Sequence, residues 1–385
     1  MQIEKSQNKS SPSPLKVRVG KGYALKFIIL HGQRNAEFIQ KQFPPLHRLL
    51  QWAIAIALAP EPSCDLIHSF NAIPVLTDRP YLITFEDFLP RVPEDHHIHW
   101  LESLLQKRLF RPQCVALIAM SEYARRQFLW QNRSFARLPL LEEKLHVIYP
   151  AKQLYRKSPK SISNKLRLIF SGNDYMRKGL PILLKAHKQL QKVGVPVQTT
   201  IVSSLNWNKQ DYIRPPSKKY VKQQQALLSQ DGIDVHPFVP YEHLMQLIEK
   251  ADYLIFPTFH DTFGLVSLDA LSCGTPVIAT ETCAQPEIVE NGRCGYLLPF
   301  ENDSNIGKWM WTYRNHDPGY LEAYDQTTTR LSEALVQRLI LCWEERRNYK
   351  MLSEGALNQI KTKFNSDSAR NKIEKLYELC RDAKK

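Results

Sequence analysis

Short apolar runs recur along the chain, separated by longer stretches whose apolar positions fall three and four apart. In the first half the runs are LKFIIL (25–30), DLIHSF (65–70), YLITF (81–85), VALIAM (115–120) and LHVIYP (145–150). A second set follows: LRLIFSG (166–172), QTTIVSS (198–204), IDVHPF (233–238), YLIFP (253–257) and PVIAT (276–280). Several lack polar alternation, as strands covered on both faces do. Strands alternating with helical stretches predict parallel sheets layered with helices, an α/β class. Toward the end, Val336, Leu339, Ile340 and Trp343, and then Ile373, Leu376, Tyr377 and Cys380, keep the i, i+3, i+4, i+7 spacing of helix faces.

Between the two sets lies KQLYRKSPKSISNK (152–165), polar and poor in bulky aliphatics, which reads as a linker. The predicted division is residues 1–155 and 156–385, with the last helix crossing back to the first domain. A length of 385 residues suits two domains. With 43% hydrophobic and 23% charged residues, each half can bury a core of its own.

The first fourteen residues are polar and Pro/Ser-rich, which predicts a frayed tail rather than a secretory leader. The longest apolar run, Leu49 to Ala59, is about half of the ~20 residues a membrane span needs, and is expected to be a buried helix. A cytoplasmic protein with reduced thiols is the expectation. The seven cysteines are odd in number and contain no CxxC pair, so they read as small core residues. EDHHIHW (94–100) holds three histidines, but nothing upstream offers the remaining ligands of a metal site.

The net charge of +14 is uneven, because residues 1–160 hold 23 Lys/Arg against 13 Asp/Glu. A basic first half attracts phosphates, whether on nucleic acid, on anionic lipid or on a substrate, and is equally compatible with a merely soluble surface. No nucleic-acid motif accompanies the charge, so no specific nucleic-acid partner is expected.

The chemistry concentrates in ADYLIFPTFHDTFGLVSLDALSCG (251–274), which reads as strand, loop and helix. The loop at the carboxyl end of a parallel strand lines the ligand crevice. A helix beginning near Gly264 points free N–H groups into that crevice, a seat for phosphate, and the glycine is expected to let a ligand approach the backbone. Asp261 and Asp269, eight positions apart, can accept hydrogen bonds from hydroxyl pairs. A polyhydroxylated, phosphorylated ligand is implied.

FPTFHDTFGLVSLDALSCGTPVIATETCAQPEIVENGRCGYLLP (256–299) resembles the donor-site signature of the retaining glycosyltransferases called glycosyl transferases group 1. An acid precedes Phe-Gly, a second acid follows eight residues later, and Gly-x-Pro-Val-Ile-Ala, Pro-Glu-Ile-Val and Gly-x-x-Gly come in order. The likeness extends through FSGNDYMRKGLPILLKAHKQL (170–190) and weakly into the first half.

The resemblance implies the GT-B fold, two Rossmann-like domains facing a cleft. It also implies transfer of a sugar, with retention, from a UDP- or GDP-sugar to an acceptor hydroxyl. Lys178 would hold the diphosphate with the backbone of Phe263, Gly264 and Leu265 and with the loop at Gly172 and Asn173. Asp269 would take the ribose and Asp261 the transferred sugar. No cofactor and no metal are expected, since no Asp-x-Asp pair ends a crevice strand.

The chain departs from the family pattern in several places. Both acids are Asp where Glu is usual, Asn173 stands where Arg is common with Arg177 as its replacement, and Glu86 stands where relatives carry His. Glu86 at that position would orient the acceptor or stabilise positive charge on the sugar. These departures also fit a non-catalytic nucleotide-sugar or glycan-binding protein. A lipid-linked or cell-envelope acceptor, with docking on the anionic inner membrane face, would give the basic half a role.

Overall fold

The computed structural model describes residues 14–20, 36–40, 56–58, 64–91, 99–206, 213, 218–300 and 318–382. The chain divides into two units: residues 1–119, 131–150 and 366–385 form the first, and residues 120–130 and 151–365 the second.

In the first unit, strands β1 (Leu15–Val19), β2 (Ala36–Gln40), β4 (Leu66–Phe70), β6 (Tyr81–Phe85), β7 (Cys114–Ala119) and β8 (Leu145–Val147) form one parallel sheet. The order is β2-β1-β4-β6-β7-β8. All five residues of β6 are buried, which is why its sequence runs apolar without alternation. Two short strands, β3 (Ile56–Leu58) and β5 (Ile73–Val75), pair beside it.

The run 49–59, expected to be helical, is therefore strand at 56–58. A short apolar run cannot be assigned by periodicity, and the partner at Ile73–Val75 decides it. The rest of that run, the strand expected at 25–30 and residues 94–98 lie outside the described residues. The final helix, Ser366–Asp382, belongs to this unit and buries Ile373, Leu376, Tyr377 and Cys380. Its Tyr377 hydroxyl meets Nδ1 of the fully buried His68 at 2.8 Å, while Nε2 of the same ring meets Thr84 Oγ1 at 2.7 Å. One polar relay thus joins β4, β6 and the helix.

In the second unit, β9 (Leu166–Ser171), β10 (Val197–Val202), β11 (Ile233–His236), β12 (Tyr253–Phe256), β13 (Val277–Thr280) and β14 (Gly295–Leu298) form a parallel sheet in the order β11-β10-β9-β12-β13-β14. Numbered within the unit this is 3-2-1-4-5-6, the dinucleotide-fold order, whose direction reverses between β9 and β12. The helix Tyr320–Glu344 packs Leu331, Leu335 and Leu339 into the same core as Leu168, Phe170 and Ile255.

Residues 152–165, expected to be a linker, are strapped along this unit. Lys152 N donates to Phe364 O at 3.0 Å, and Tyr155 N and Arg156 N both donate to Ser272 O at 3.0 Å. Lys160 N donates to Ser353 Oγ at 2.8 Å. The Lys160 ammonium is buried, bonded to Ala251 O and, at 2.8 Å, to Thr275 Oγ1. Main-chain N–H groups and the Lys160 ammonium together tie the strap down.

Candidate donor site

The loops that leave β9 and β12 emerge side by side where the sheet order reverses. They approach closely because Gly179, at φ +81°, lies under Pro257: a Cβ there would come within 2.0 Å of the Pro257 carbonyl oxygen. Only glycine supplies both the left-handed backbone and the missing side chain. Phe259 N and Thr258 Oγ1 both donate to Arg177 O, at 2.9 and 3.2 Å. The buried Phe259 ring stacks on Tyr324, with centroids 4.9 Å apart.

The Arg177 guanidinium donates to Asp174 Oδ2 at 2.6 Å and to His260 O at 2.7 Å. It clamps the two loops, where the sequence had offered it as a substitute phosphate cation. Lys178, the next residue, is differently placed. Its stem packs on Gly172, where a Cβ would stand 3.0 Å from Lys178 Cγ. Its ammonium ion-pairs with the Asp261 carboxylate and lies 5.2 Å from the Phe256 ring centroid. Burial pushes the Lys178 pKa down, against the opposing pull of Asp261. Both side chains keep an opening to the outside, at 14% and 18% exposure.

The helix Leu265–Ser272 starts after Gly264 at φ +84°. The space at Gly264 is filled by the protein, since a Cβ would meet Gln285 Nε2 at 2.3 Å and Phe256 Cε1 at 2.9 Å. This glycine is thus required by internal packing and not, as expected, by ligand approach to its open face. Buried Gln285 organises the turn: Nε2 donates to Phe263 O at 2.7 Å, and Ser267 Oγ donates to Oε1 at 2.9 Å. The Phe263 side chain is buried, edge-on to Phe364, so it anchors the helix start from inside. The N–H groups of Leu265 and Val266 have no acceptor among the described residues, which leaves the helix start able to take an anion.

Asp269, one turn on, is engaged through Oδ1: the Lys152 ammonium stands at 2.5 Å and the Tyr241 hydroxyl donates at 2.7 Å. Asn173 is exposed, and its Oδ1 lies 3.4 Å from Ser204 Oγ. Glu86 sits in the first unit, after β6, where Oε1 accepts from Asn71 Nδ2 at 3.1 Å and from Arg91 Nη1 at 2.7 Å. Those contacts make it a clamp between the ends of β4 and β6. The structure thus brings together Gly172, Lys178, Asp261 and the Gly264 turn. Sequence reasoning did not find Lys152, Tyr241 or Gln285. Only Gln285 carried a signal, as the residue before Pro-Glu-Ile-Val.

A doubly wound parallel sheet with a cation, a carboxylate and an open helix start at its reversal is the architecture of nucleotide-binding α/β units. Comparison with known proteins narrows the class. Residues 151–310, which lie within the second unit, match the family model described as Glycosyl transferases group 1. Among curated relatives, the D-inositol 3-phosphate glycosyltransferase of Pseudarthrobacter chlorophenolicus is 32% identical over 133 residues, 34% of this chain and 30% of the relative. That of Arthrobacter sp. FB24 is 30% identical over 142 residues, 35% of this chain and 31% of the relative. The chain thus spans about a third of the length of these relatives.

Among solved structures, Anabaena HepE in complex with UDP-glucose superimposes with a TM-score of 0.60 at 18% identity, covering 94% of this chain and 99% of that one. Sucrose-phosphate synthase from Thermosynechococcus elongatus gives 0.63 at 14% identity, covering 96% and 100%. These likenesses establish the GT-B fold.

Proposed function

We propose that this protein is a retaining glycosyltransferase that moves a sugar from a UDP- or GDP-sugar to an acceptor hydroxyl. The observation that carries the proposal is the Lys178–Asp261 pair beside the open helix start at Leu265, at the reversal of the sheet. An ammonium group has three donors, so Lys178 can keep Asp261 and still meet a phosphate oxygen.

As the sugar–phosphate bond breaks, negative charge grows on the departing diphosphate. A fixed ammonium and helix N–H groups in a partly dry site stabilise that charge more in the transition state than in the ground state. Asp261 then faces the sugar and Asp269 the ribose. This chemistry asks for no metal or cofactor. Glycosyltransferase relatives and a neighbour solved with UDP-glucose support the donor class.

The first unit takes the acceptor, which we propose is lipid-linked or a cell-envelope glycan presented at an anionic membrane face that the chain's net charge of +14 would favour. Among the described residues no helix is long and apolar enough to cross a membrane, so attachment would be peripheral.

The test is release of nucleoside diphosphate from a panel of UDP- and GDP-sugars. Release that falls by about 100-fold or more in Lys178→Ala, the scale of one lost charge-stabilising donor, supports the proposal. Tight donor binding with no release across many acceptors would replace it with a binding protein.

A further inference from the structure

The strap that follows residue 150 delivers a side chain to the donor site. Lys152 is fixed at its backbone by Phe364 O, and further along by the paired bonds of Tyr155 and Arg156 to Ser272 O. Its ammonium reaches Asp269 Oδ1 at 2.5 Å and also touches the Tyr241 hydroxyl, lying 5.0 Å from that ring's centroid. Tyr241, the first residue of the helix Tyr241–Lys250, donates its hydroxyl to the same Oδ1 at 2.7 Å. Lys152 and Asp269 are 18% and 14% exposed, so the contact is largely shielded from water.

A carboxylate oxygen has two lone-pair sites, and Oδ1 has both filled. Oδ2 accepts no hydrogen bond among the described residues. The Asp χ2 torsion is broad, so the side chain by itself does not fix the plane of its carboxylate. Here two donors from two separate elements fix it.

We infer that Lys152 is a positioning residue for donor binding: together with Tyr241 it pins Oδ1 of Asp269 and presents Oδ2 alone to the ribose hydroxyls. This rests on the donor-site reading of Asp269 given above. With one oxygen on offer, held at a fixed angle, the site gains its grip from a directed hydrogen bond to a charged acceptor, and so distinguishes ribose from 2′-deoxyribose. Released from Lys152, the carboxylate turns, and the distinction falls.

The experiment is calorimetric titration of the full chain with UDP, GDP and their 2′-deoxy counterparts. Wild type, Asp269→Asn, Lys152→Met and Lys152→Arg are compared. Wild type is expected to prefer the ribonucleotide by about tenfold, the scale of a hydrogen bond to a charged group. Asp269→Asn and Lys152→Met should each bring the preference to within about twofold, and Lys152→Arg should restore most of it. A full preference retained in Lys152→Met but lost in Asp269→Asn overturns the inference and leaves the donor-site reading standing. No preference in wild type, or one unaffected by Asp269→Asn, overturns both. Should Lys152→Met not fold, Tyr241→Phe removes the other donor to Oδ1. A lowered preference there supports the inference, and an unchanged one refutes it.

Discussion

Lys160 is a buried ammonium whose hydrogen-bond partners among the described residues are the neutral oxygens of Ala251 and Thr275, and its removal should show as a pH-dependent change in stability. Burial lowers its pKa from 10.5 to about 8, against the opposing charge of Asp252. Below about pH 8 the group is protonated in the folded and the unfolded chain, so the full cost of burying the charge is present. Between about pH 8 and 10.5 the unfolded chain binds more protons than the folded one, and stability therefore rises with pH.

At about 1.4 kcal/mol per pKa unit, the gain from pH 7 to pH 10 is about 2 to 3 kcal/mol. Raised thiol and tyrosine pKa values, such as those of Cys294 and Cys342 at about 11 and of Tyr253, pull the other way in alkali. The quantity to measure is thus the difference between wild type and Lys160→Met, from urea denaturation at pH 7, 8, 9 and 10. The advantage of Lys160→Met over wild type should shrink by about 2 to 3 kcal/mol across the series. A difference that stays flat within about half a kcal/mol would refute the placement of this ammonium in a dry site and the anchoring of the strap that carries Lys152.

Gly179→Ala should destabilise the chain by about 2 kcal/mol or more, because the new methyl meets the Pro257 carbonyl at 2.0 Å in a left-handed backbone; thermal unfolding checks it. Glu86→Gln, which keeps the hydrogen bond of Asn71 but removes the charge facing Arg91, should cost about 1 kcal/mol or less in urea unfolding. All seven cysteines are buried and in no disulfide, so thiol titration of the native protein should be slow at every one and complete on unfolding. Binding to vesicles rich in anionic lipid should exceed binding to neutral vesicles at low salt and vanish at high salt. Equal binding would remove the membrane from the proposal.

Much of the second unit was legible because its central strands are buried along most of their length. LRLIFSG, YLIFP and PVIAT announce Leu166–Ser171, Tyr253–Phe256 and Val277–Thr280 within a residue or two. The strand Leu15–Val19 has no continuous apolar run: LKVRV alternates apolar and charged residues, a strand signal of the half-buried kind, and the alternation does not announce that Arg18 is buried as well. The short strand Gly295–Leu298 hid inside a glycine motif.

At the site, the strand–loop–helix pattern pointed to Asp261, Asp269 and the Gly264 turn, and Lys178 entered through the family resemblance; all lie in contiguous stretches near strand ends. The partners of Asp269 could not be read the same way: Lys152 and Tyr241 lie 117 and 28 residues away, one brought in by the strap and the other by the start of the helix Tyr241–Lys250. Arg177 and Lys178 are neighbours of like charge, and only the folded loop shows that one clamps backbone while the other meets Asp261. Gly264 was rightly singled out, but the space it leaves is taken by Gln285.

The claim at the centre is that Lys178 and the helix start at Leu265 form a seat for a diphosphate. Its most direct test is the thermal shift of wild type and Lys178→Met with UDP and GDP set against uridine and guanosine. A ligand at about 100 times its Kd adds about 2.7 kcal/mol of stability. At least one diphosphate should therefore raise the melting temperature of wild type by several degrees, with little effect from its nucleoside and little in Lys178→Met. An equal shift in the two proteins, or none with either diphosphate, would contradict it.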